Sequence, residues 1–499
     1  MTHPLDLPDK WDMETDVVVI GFGAAGFAVS VTAHDLGVDV VLLEKAPEGE
    51  TGGNTRVAGQ GYLNLEGEDD AHAYLTALCG HFEVPDKMIR VWAHEMCKNN
   101  EWLASLGGDP QEHQHQPVGI EFPHLPGSQC VHKFHEGEIY GYGNTWKLFE
   151  RLTKDRANGG DKPLRILFET PGKSLVQNGD TGEILGVRAE QDGKTIAIKA
   201  KKGVVLTCGG FENNQDMIRD YLPGMPYCYT TGSPYNEGDG VTMGLEVGAD
   251  LWHMNNFAGP ALQLKADGHP TTFSMQALHF SKEMPGGMIV VGADGRRFAD
   301  EKYKTCHGKI PRNGVYQPLP TPCPLHMVFD HEMFSAGPLY DTHPRSGWTT
   351  VMGRYDWSDD NMKELEKGWI LKADTLDALA ETIGVDSKAL NGSVERWNEM
   401  VAAGGDNDFG RTLMMAPIGE GPFYAVPLSP TMLNTQGGPR RNEKAEIVRP
   451  DGNPIPRLYS SGELGSIYSN LYQGAGNIGE CLAFGRIAGR NVAALEPWC

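Results

Sequence analysis

The chain is predicted to be an α/β protein: a nucleotide-binding domain made from both chain ends, with an α+β domain inserted between them. Three observations carry this. Four β-formers, Val17 to Ile20, run into Gly21-x-Gly23-x-x-Gly26, then a helical stretch, then an apolar strand ending on Glu44. A second glycine-rich turn, Gly474-Ala-Gly476, opens another helix near the C-terminus. Between them, residues 251–414 are rich in Pro, Trp, His and Met and lack such turns.

The totals bound the reading. At 499 residues more than one domain is expected, and 40% hydrophobic with 22% charged residues is a globular composition. A net charge of −23 argues against nucleic acid and anionic membrane surfaces. No apolar run reaches membrane-spanning length, and the polar, acidic first residues lack a basic signal-peptide region, so the cytoplasm is expected. Nine scattered cysteines form no CxxC pair. Histidines 113, 115, 124, 132 and 135 lack metal-ligand spacing, and no metal is expected.

In chain order, residues 1–10 read as a lightly tethered lead-in. Val17–Ile20, a helix from Ala24 to about Leu36 and a strand over 39–44 form a βαβ start. In such a unit Gly21 makes the tight turn, Gly23 lets backbone approach a pyrophosphate, and Gly26 lets helix pack on strand. The helix N-terminus then faces the phosphates, and Glu44 accepts from a ribose hydroxyl. Thr51 to Gly61 holds four glycines in eleven residues, suited to close backbone approach to a flat or charged ligand, with Asn54 and Thr55 as hydrogen-bonders. Residues 69–106 are helical by spacing, 107–143 read as loop, and a helix is expected over 144–156. Short strands follow at 164–168, 174–177, 184–189 and 195–198, then a buried strand over 203–211. Helices are expected at 374–380 and 390–400, a strand at 458–463 and a last helix over 477–492. The domain borders fall at 1–250, 251–414 and 415–499.

These pieces in this order resemble the flavoprotein superfamily of fumarate reductases and 3-ketosteroid dehydrogenases. The resemblance rests on the first glycine motif with Glu44, Thr51-Gly-Gly-Asn-Thr55, Val204 to Phe211, Gly295 to Glu301, Thr435-Gln-Gly-Gly438, Tyr459 to Glu463 and Phe484 to Gly489. It implies a Rossmann-like FAD-binding domain of the glutathione-reductase type, with an inserted substrate-capping domain. It places FAD contacts at Gly21, Gly23, Ala24, Ala25, Gly26, Glu44 and Lys45. A second group is Thr51, Gly52, Gly53, Asn54, Thr55, Ala58, Gly59, Gln60 and Gly61. Val176 is expected near the adenine, with Cys208, Gly209, Gly210, Asn214, Gly238 and Asp239 along the same ligand. Gly462, Glu463, Gly474, Gly476, Asn477 and Ile478 complete the set. The loop where some relatives carry a flavin-linking histidine has none, so FAD is expected to be non-covalent.

The family divides by substrate, because a dicarboxylate needs fixed cationic donors. Asn434, Tyr472 and about Thr305 stand in the slots where a fumarate reductase places histidine or arginine. Tyr472-Gln-Gly-Ala-Gly476 is instead similar to the 3-ketosteroid dehydrogenase stretch in which a tyrosine hydroxyl and the last glycine N–H polarise a ketone. Such donors stabilise negative charge building on the carbonyl oxygen. Tyr303 or His307 is the expected proton-transfer residue, and the place of a third family tyrosine falls near Phe122, which cannot move a proton. The leading expectation is oxidation or reduction of a carbon–carbon bond beside a ketone, on an apolar cyclic substrate, with an external electron donor or acceptor. Two alternatives stand beside it: an ene-reductase of an unsaturated acid, with a clamp from Arg411, Arg440 or Arg441, and a flavin subunit that only passes electrons.

Overall fold

The computed structural model describes residues 7–113, 119–159, 163–259, 261–341 and 346–498. Most of the expected lead-in, together with His115 and Cys499, lies outside them.

The first sheet has eight strands. Met13–Ile20 lies at its centre, parallel to Val40–Leu43 on one side and to Lys194–Leu206 on the other. Leu164–Leu167 extends the sheet past Val40–Leu43, and Pro454–Ser460 joins beyond Lys194–Leu206. The sheet therefore holds strands from both ends of the chain. Parallel strands are covered on both faces, which is why Val17, Val18 and Val19 are all fully buried. On one face the helix Ala24–Asp35 packs along the last helix, Gly476–Ala493. The helix Asn144–Ala157 completes this layer, Phe149 stacking on Phe27 with centroids 4.3 Å apart.

The second sheet has six strands. Phe423–Met432 pairs with Leu325–Phe329, which pairs with Met288–Val291. Phe423–Met432 thus belongs with the inserted region, on the far side of the border expected at residue 414. Helices Leu376–Ile383 and Ser387–Ala402 cover this sheet, burying Leu379, Leu390 and Trp397 against Ile289 and Val328. Thr375 and Asp386 cap them, accepting from the Ala378 and Ala389 N–H groups.

Four local expectations change. The strands expected at 195–198 and 203–211 are one strand, Lys194–Leu206, because the lysines between them interleave with buried Ala200 and the pairing with Met13–Ile20 resumes after a register shift between Ala200 and Gly203. The long helical pattern over 69–106 is three helices, Glu68–Cys79, Asp86–Met96 and Asn99–Ser105, the second opening directly after Pro85. Within 107–143 lie two strands, Pro110–Glu112 and Val131–Glu136, which pair beside Tyr62–Leu65. Their polar residues hid them. The glycine-rich loop after Glu44 contains a helical turn, Gly53–Val57.

Candidate active site

The glycine motif closes one end of a cleft of about 320 Å³. Gly21 has φ +105°, and a Cβ on it would lie 2.5 Å from the Thr207 carbonyl oxygen. A Cβ on Gly26 would lie 2.0 Å from the Gly21 oxygen, so helix and strand meet as the motif requires. The Ala24 N–H donates to Thr55 Oγ1 at 3.0 Å, which ties the second glycine-rich segment to the first helix N-terminus. Glu44 accepts from the Phe22 and Ala46 N–H groups at 2.9 and 2.8 Å. Burial raises its carboxyl above the ordinary range against the pull of those bonds.

Gly21, Gly23, Ala24, Ala25, Glu44, Lys45, Gly52, Gly53, Asn54, Thr55, Ala58, Gly59 and Gly61 all line this cleft. So do Cys208, Gly209, Asp239, Glu463, Gly474, Asn477, Ile478, Tyr472 and His307. Lys45 does so with its amine committed to Asp239, 2.6 Å away, and Glu237. Asn54 donates to both Glu212 and Glu463, at 2.7 and 3.1 Å. Burial raises both carboxyls, and Glu212 raises Glu463 further.

Other expected contacts form the wall behind the lining. Thr51 and Gln60 are buried; Gln60 donates to backbone carbonyls including those of Arg56 and Ala58, and its own oxygen receives the Trp146 N–H. Gly210 is packed against Thr435 and Gly462 against Ala25 and Cys481. Asn214 caps Gln215–Tyr221, and Gly238 precedes Asp239–Glu246. Val176 does not reach the cleft: it is fully buried within its strand opposite Gly186, and Thr170, Pro171 and Gly172 form that wall instead.

Tyr472, His307 and the start of the last helix gather at another part of the cleft. Ala475 takes φ +73°, so the last helix starts at Gly476. The Gly476 N–H then donates to the Gln473 carbonyl at 2.9 Å and does not stand beside the Tyr472 hydroxyl as an open donor. The Tyr472 hydroxyl accepts the Asn477 N–H at 3.3 Å, which leaves its own hydrogen free to donate. Burial pushes the Tyr472 phenol far up, which favours its protonated form. His307 stands at a turn with φ +51°, between Cys306 and Lys309, which bond to each other across it. Its ring meets Tyr472 edge-on, 4.7 Å between centroids.

Two residues at this end carried no sequence signal. Glu121 lies 2.9 Å from His307 Nε2 and accepts the Gly474 N–H at 2.9 Å. Burial alone would raise its carboxyl, but His307 and that N–H hold it below the ordinary range. It adjoins Phe122, where a family tyrosine was sought; Phe122 itself is fully buried against Tyr316 and His124. Lys133 lines the cleft from the strand Val131–Glu136.

A second cavity of about 410 Å³ opens into the inserted region and shares Glu121, His307, Thr231 and Leu433 with the first. Leu262, Met275, Leu278, Phe280, Phe298 and Leu319 give it an apolar wall. Tyr303 lines it while 45% exposed. Among the described residues no arginine lines either cavity. Arg411 is buried on the Met288, Leu413 and Met414 carbonyls and on Glu301; Arg441 is buried on Glu480; Arg440 pairs with Asp250. The carboxylate clamp considered from these three is therefore not formed.

The residues fit an FAD. The cradle at Gly21 to Gly26 suits a pyrophosphate, Glu44 a ribose, and Ser461 Oγ is buried on the cleft wall without a hydrogen-bond partner. Among the described residues no helix is long and apolar enough to cross a membrane.

The FAD binding domain family matches residues 16–478. Digoxin reductase from Eggerthella lenta is 30% identical, covering 100% of this chain and 90% of that protein. The 3-oxosteroid 1-dehydrogenase of Mycolicibacterium smegmatis is 27% identical over 96% of this chain and 97% of its own. The fold is that of the 3-ketosteroid delta1-dehydrogenase from Sterolibacterium denitrificans, with a TM-score of 0.72 at 21% identity over 96% and 99% of the two chains. The chain belongs to the FAD-binding oxidoreductase family that includes fumarate reductases and 3-ketosteroid dehydrogenases, and is an FAD-dependent enzyme acting on CH–CH bonds.

Proposed function

We propose that the enzyme exchanges hydride across a carbon–carbon bond conjugated to a ketone, on an apolar cyclic substrate held in the second cavity. The observation that carries this is the Tyr472–His307–Glu121 group at the junction of the two cavities, with an apolar wall beyond it and, among the described residues, no arginine at the lining of either. The flavin supplies the hydride chemistry. Tyr472 donates to the ketone oxygen, where negative charge builds when the neighbouring carbon gains or loses a proton. The helix N-terminus behind it, through the Asn477 N–H, strengthens that donation. His307 moves the proton, and its bond to Glu121 sets the ring orientation. This takes the role from Tyr303, which is 45% exposed and has no such partner among the described residues, and whose phenol is raised by its partial burial. Relatives include a digoxin reductase and a 3-oxosteroid 1-dehydrogenase, which favours a large fused-ring substrate and leaves both directions to be measured.

The test is anaerobic. The oxidised holoenzyme is offered saturated cyclic ketones and the photoreduced holoenzyme is offered the matching enones, with flavin absorbance followed throughout. The expected result is bleaching or reoxidation by fused-ring ketones and none by succinate or fumarate. A clear response to the two dicarboxylates at millimolar concentration with none to the ketones would overturn the proposal.

A further inference from the structure

Lys133 has no place in the chemistry above, yet its position is specific. Its strand pairs with Tyr62–Leu65, with Leu63 opposite Lys133, which carries the side chain up beside Gly61. A Cβ on Gly61 would come 2.3 Å from Lys133 Cε, 3.3 Å from Nζ and 3.4 Å from the Ala475 Cβ. The amine therefore sits between the glycine-rich loop and the start of the last helix, both of which line the FAD cleft. It stands 5.3 Å from the centroid of the Tyr140 ring. Among the described residues no acceptor hydrogen-bonds it and no carboxylate pairs with it. Burial brings the amine down to about 8, with Glu121 opposing the change. His307 and His135 are the other titratable groups nearby; His307 is bonded to Glu121, and Lys133 disfavours the charged form of His135.

An ammonium largely withdrawn from water with an aromatic face but no acceptor or paired carboxylate among the described residues is costly, and such a group points to an anion that the cleft receives. The first helix N-terminus, at the Gly21 to Gly26 turn, would serve the pyrophosphate, which leaves Lys133 for a different anionic part of the ligand. We propose that Lys133 is a positioning residue for the flavin ring, its ammonium facing the negative charge that the ring carries when it holds two electrons. A fixed charge beside the ring tunes its electronics without touching the substrate. The same placement explains why residue 61 is glycine, since any larger side chain would displace the lysine stem.

This inference rests on FAD binding alone and is independent of the ketone proposal, so its test uses no substrate. Sulfite dianion adds to oxidised flavin and leaves the ring negatively charged, which reads the local charge directly. Wild type, K133R, K133M and K133Q holoenzymes are titrated with sulfite at pH 7.5 by flavin absorbance, and their midpoint potentials are measured. FAD content and unfolding temperature identify any variant that misfolds, and having two neutral variants keeps one available. The expected result is at least tenfold weaker sulfite binding and a lower potential in the neutral variants, with K133R within threefold of wild type. In wild type, sulfite binding should weaken from pH 7.5 to 9.5 as the amine loses its proton, and in K133R it should stay flat. Either readout standing still in a folded, FAD-loaded neutral variant would overturn the proposal.

Discussion

One oxygen of Glu121 receives both the His307 imidazole and the Gly474 N–H, each at 2.9 Å. A single carboxylate thus joins the turn that carries His307 to the segment that carries Tyr472. His307→Gln should lower turnover by about a hundredfold, the usual scale for losing a positioned acid–base group. Tyr303→Phe should stay within about twofold by the same reasoning. Steady-state rates on the best ketone from the panel check this, and the reverse order would return the proton role to Tyr303.

Tyr472→Phe should leave FAD bound and lower turnover by at least about tenfold, because one donor to the developing oxyanion is lost. FAD content is read from absorbance and the rate from single turnover. Turnover near the wild-type value would remove Tyr472 from the mechanism.

Gly26→Ala introduces a Cβ 2.0 Å from the Gly21 carbonyl oxygen, where neither backbone segment can yield cheaply. The expected loss is about 1–3 kcal/mol of stability, the usual cost of overpacking. The variant should also purify with less FAD. Thermal unfolding with the flavin-to-protein ratio decides it, and an unchanged ratio with an unchanged melting temperature would refute the packing argument.

His253 stacks on Trp252 and its Nδ1 lies 2.7 Å from the Ser466 carbonyl. Burial lowers its pKa from 6.5 to about 4, with Arg440 and Arg441 adding to the effect. The unfolded chain therefore binds more protons than the folded one between those two values, and stability falls on acidification through that window. The expected contribution is of the order of 3 kcal/mol. His253→Asn suits the left-handed backbone, φ +54°, and should flatten that part of the stability-versus-pH curve measured by denaturant titration. An equally steep curve in the variant would assign the dependence to other groups.

Arg441 and Glu480 form a fully buried ion pair beneath the last helix. Arg441→Met should cost about 3–5 kcal/mol because it leaves a buried carboxylate without its counter-charge, held only by the Ser466 hydroxyl and the Ile467 N–H. The double variant with Glu480→Met should recover a large part of that loss. Additive losses in a double-mutant cycle would show that the two side chains are not coupled.

The phosphate end of the cleft was legible in the sequence because its determinants are local. Gly21, Gly23, Gly26 and Glu44 fall within one βαβ unit, and each does a job that a turn, a helix start or a strand end imposes on its own neighbours. Thr51 to Gly61 was legible for the same reason, although its helical turn and the buried Gln60 were not. The reacting end was only partly legible. Tyr472 and His307 were singled out through the resemblance, but nothing near residue 121 marks an acid that will be buried, and Lys133 lies in a polar stretch that reads as loop. Val176 and Gly476 lie off the cleft lining although each stands close in sequence to residues that form it, because strand direction or a left-handed residue turns it away.

By itself the sequence determined a nucleotide-binding α/β domain and an inserted region, since glycine spacing and strand–helix order need no distant partner, and the resemblance carried by its ordered motifs narrowed the nucleotide to a flavin. Tertiary structure alone decided which groups face the reacting end. Glu121, Lys133, His307 and Tyr472 come from four separate segments. Their contact depends on the small sheet beside Tyr62–Leu65, the turn at His307 and the start of the last helix all closing on one place. Burial then set their charge states, pushing Tyr472 up and Lys133 down, and burial is a property of the folded chain that no local pattern encodes.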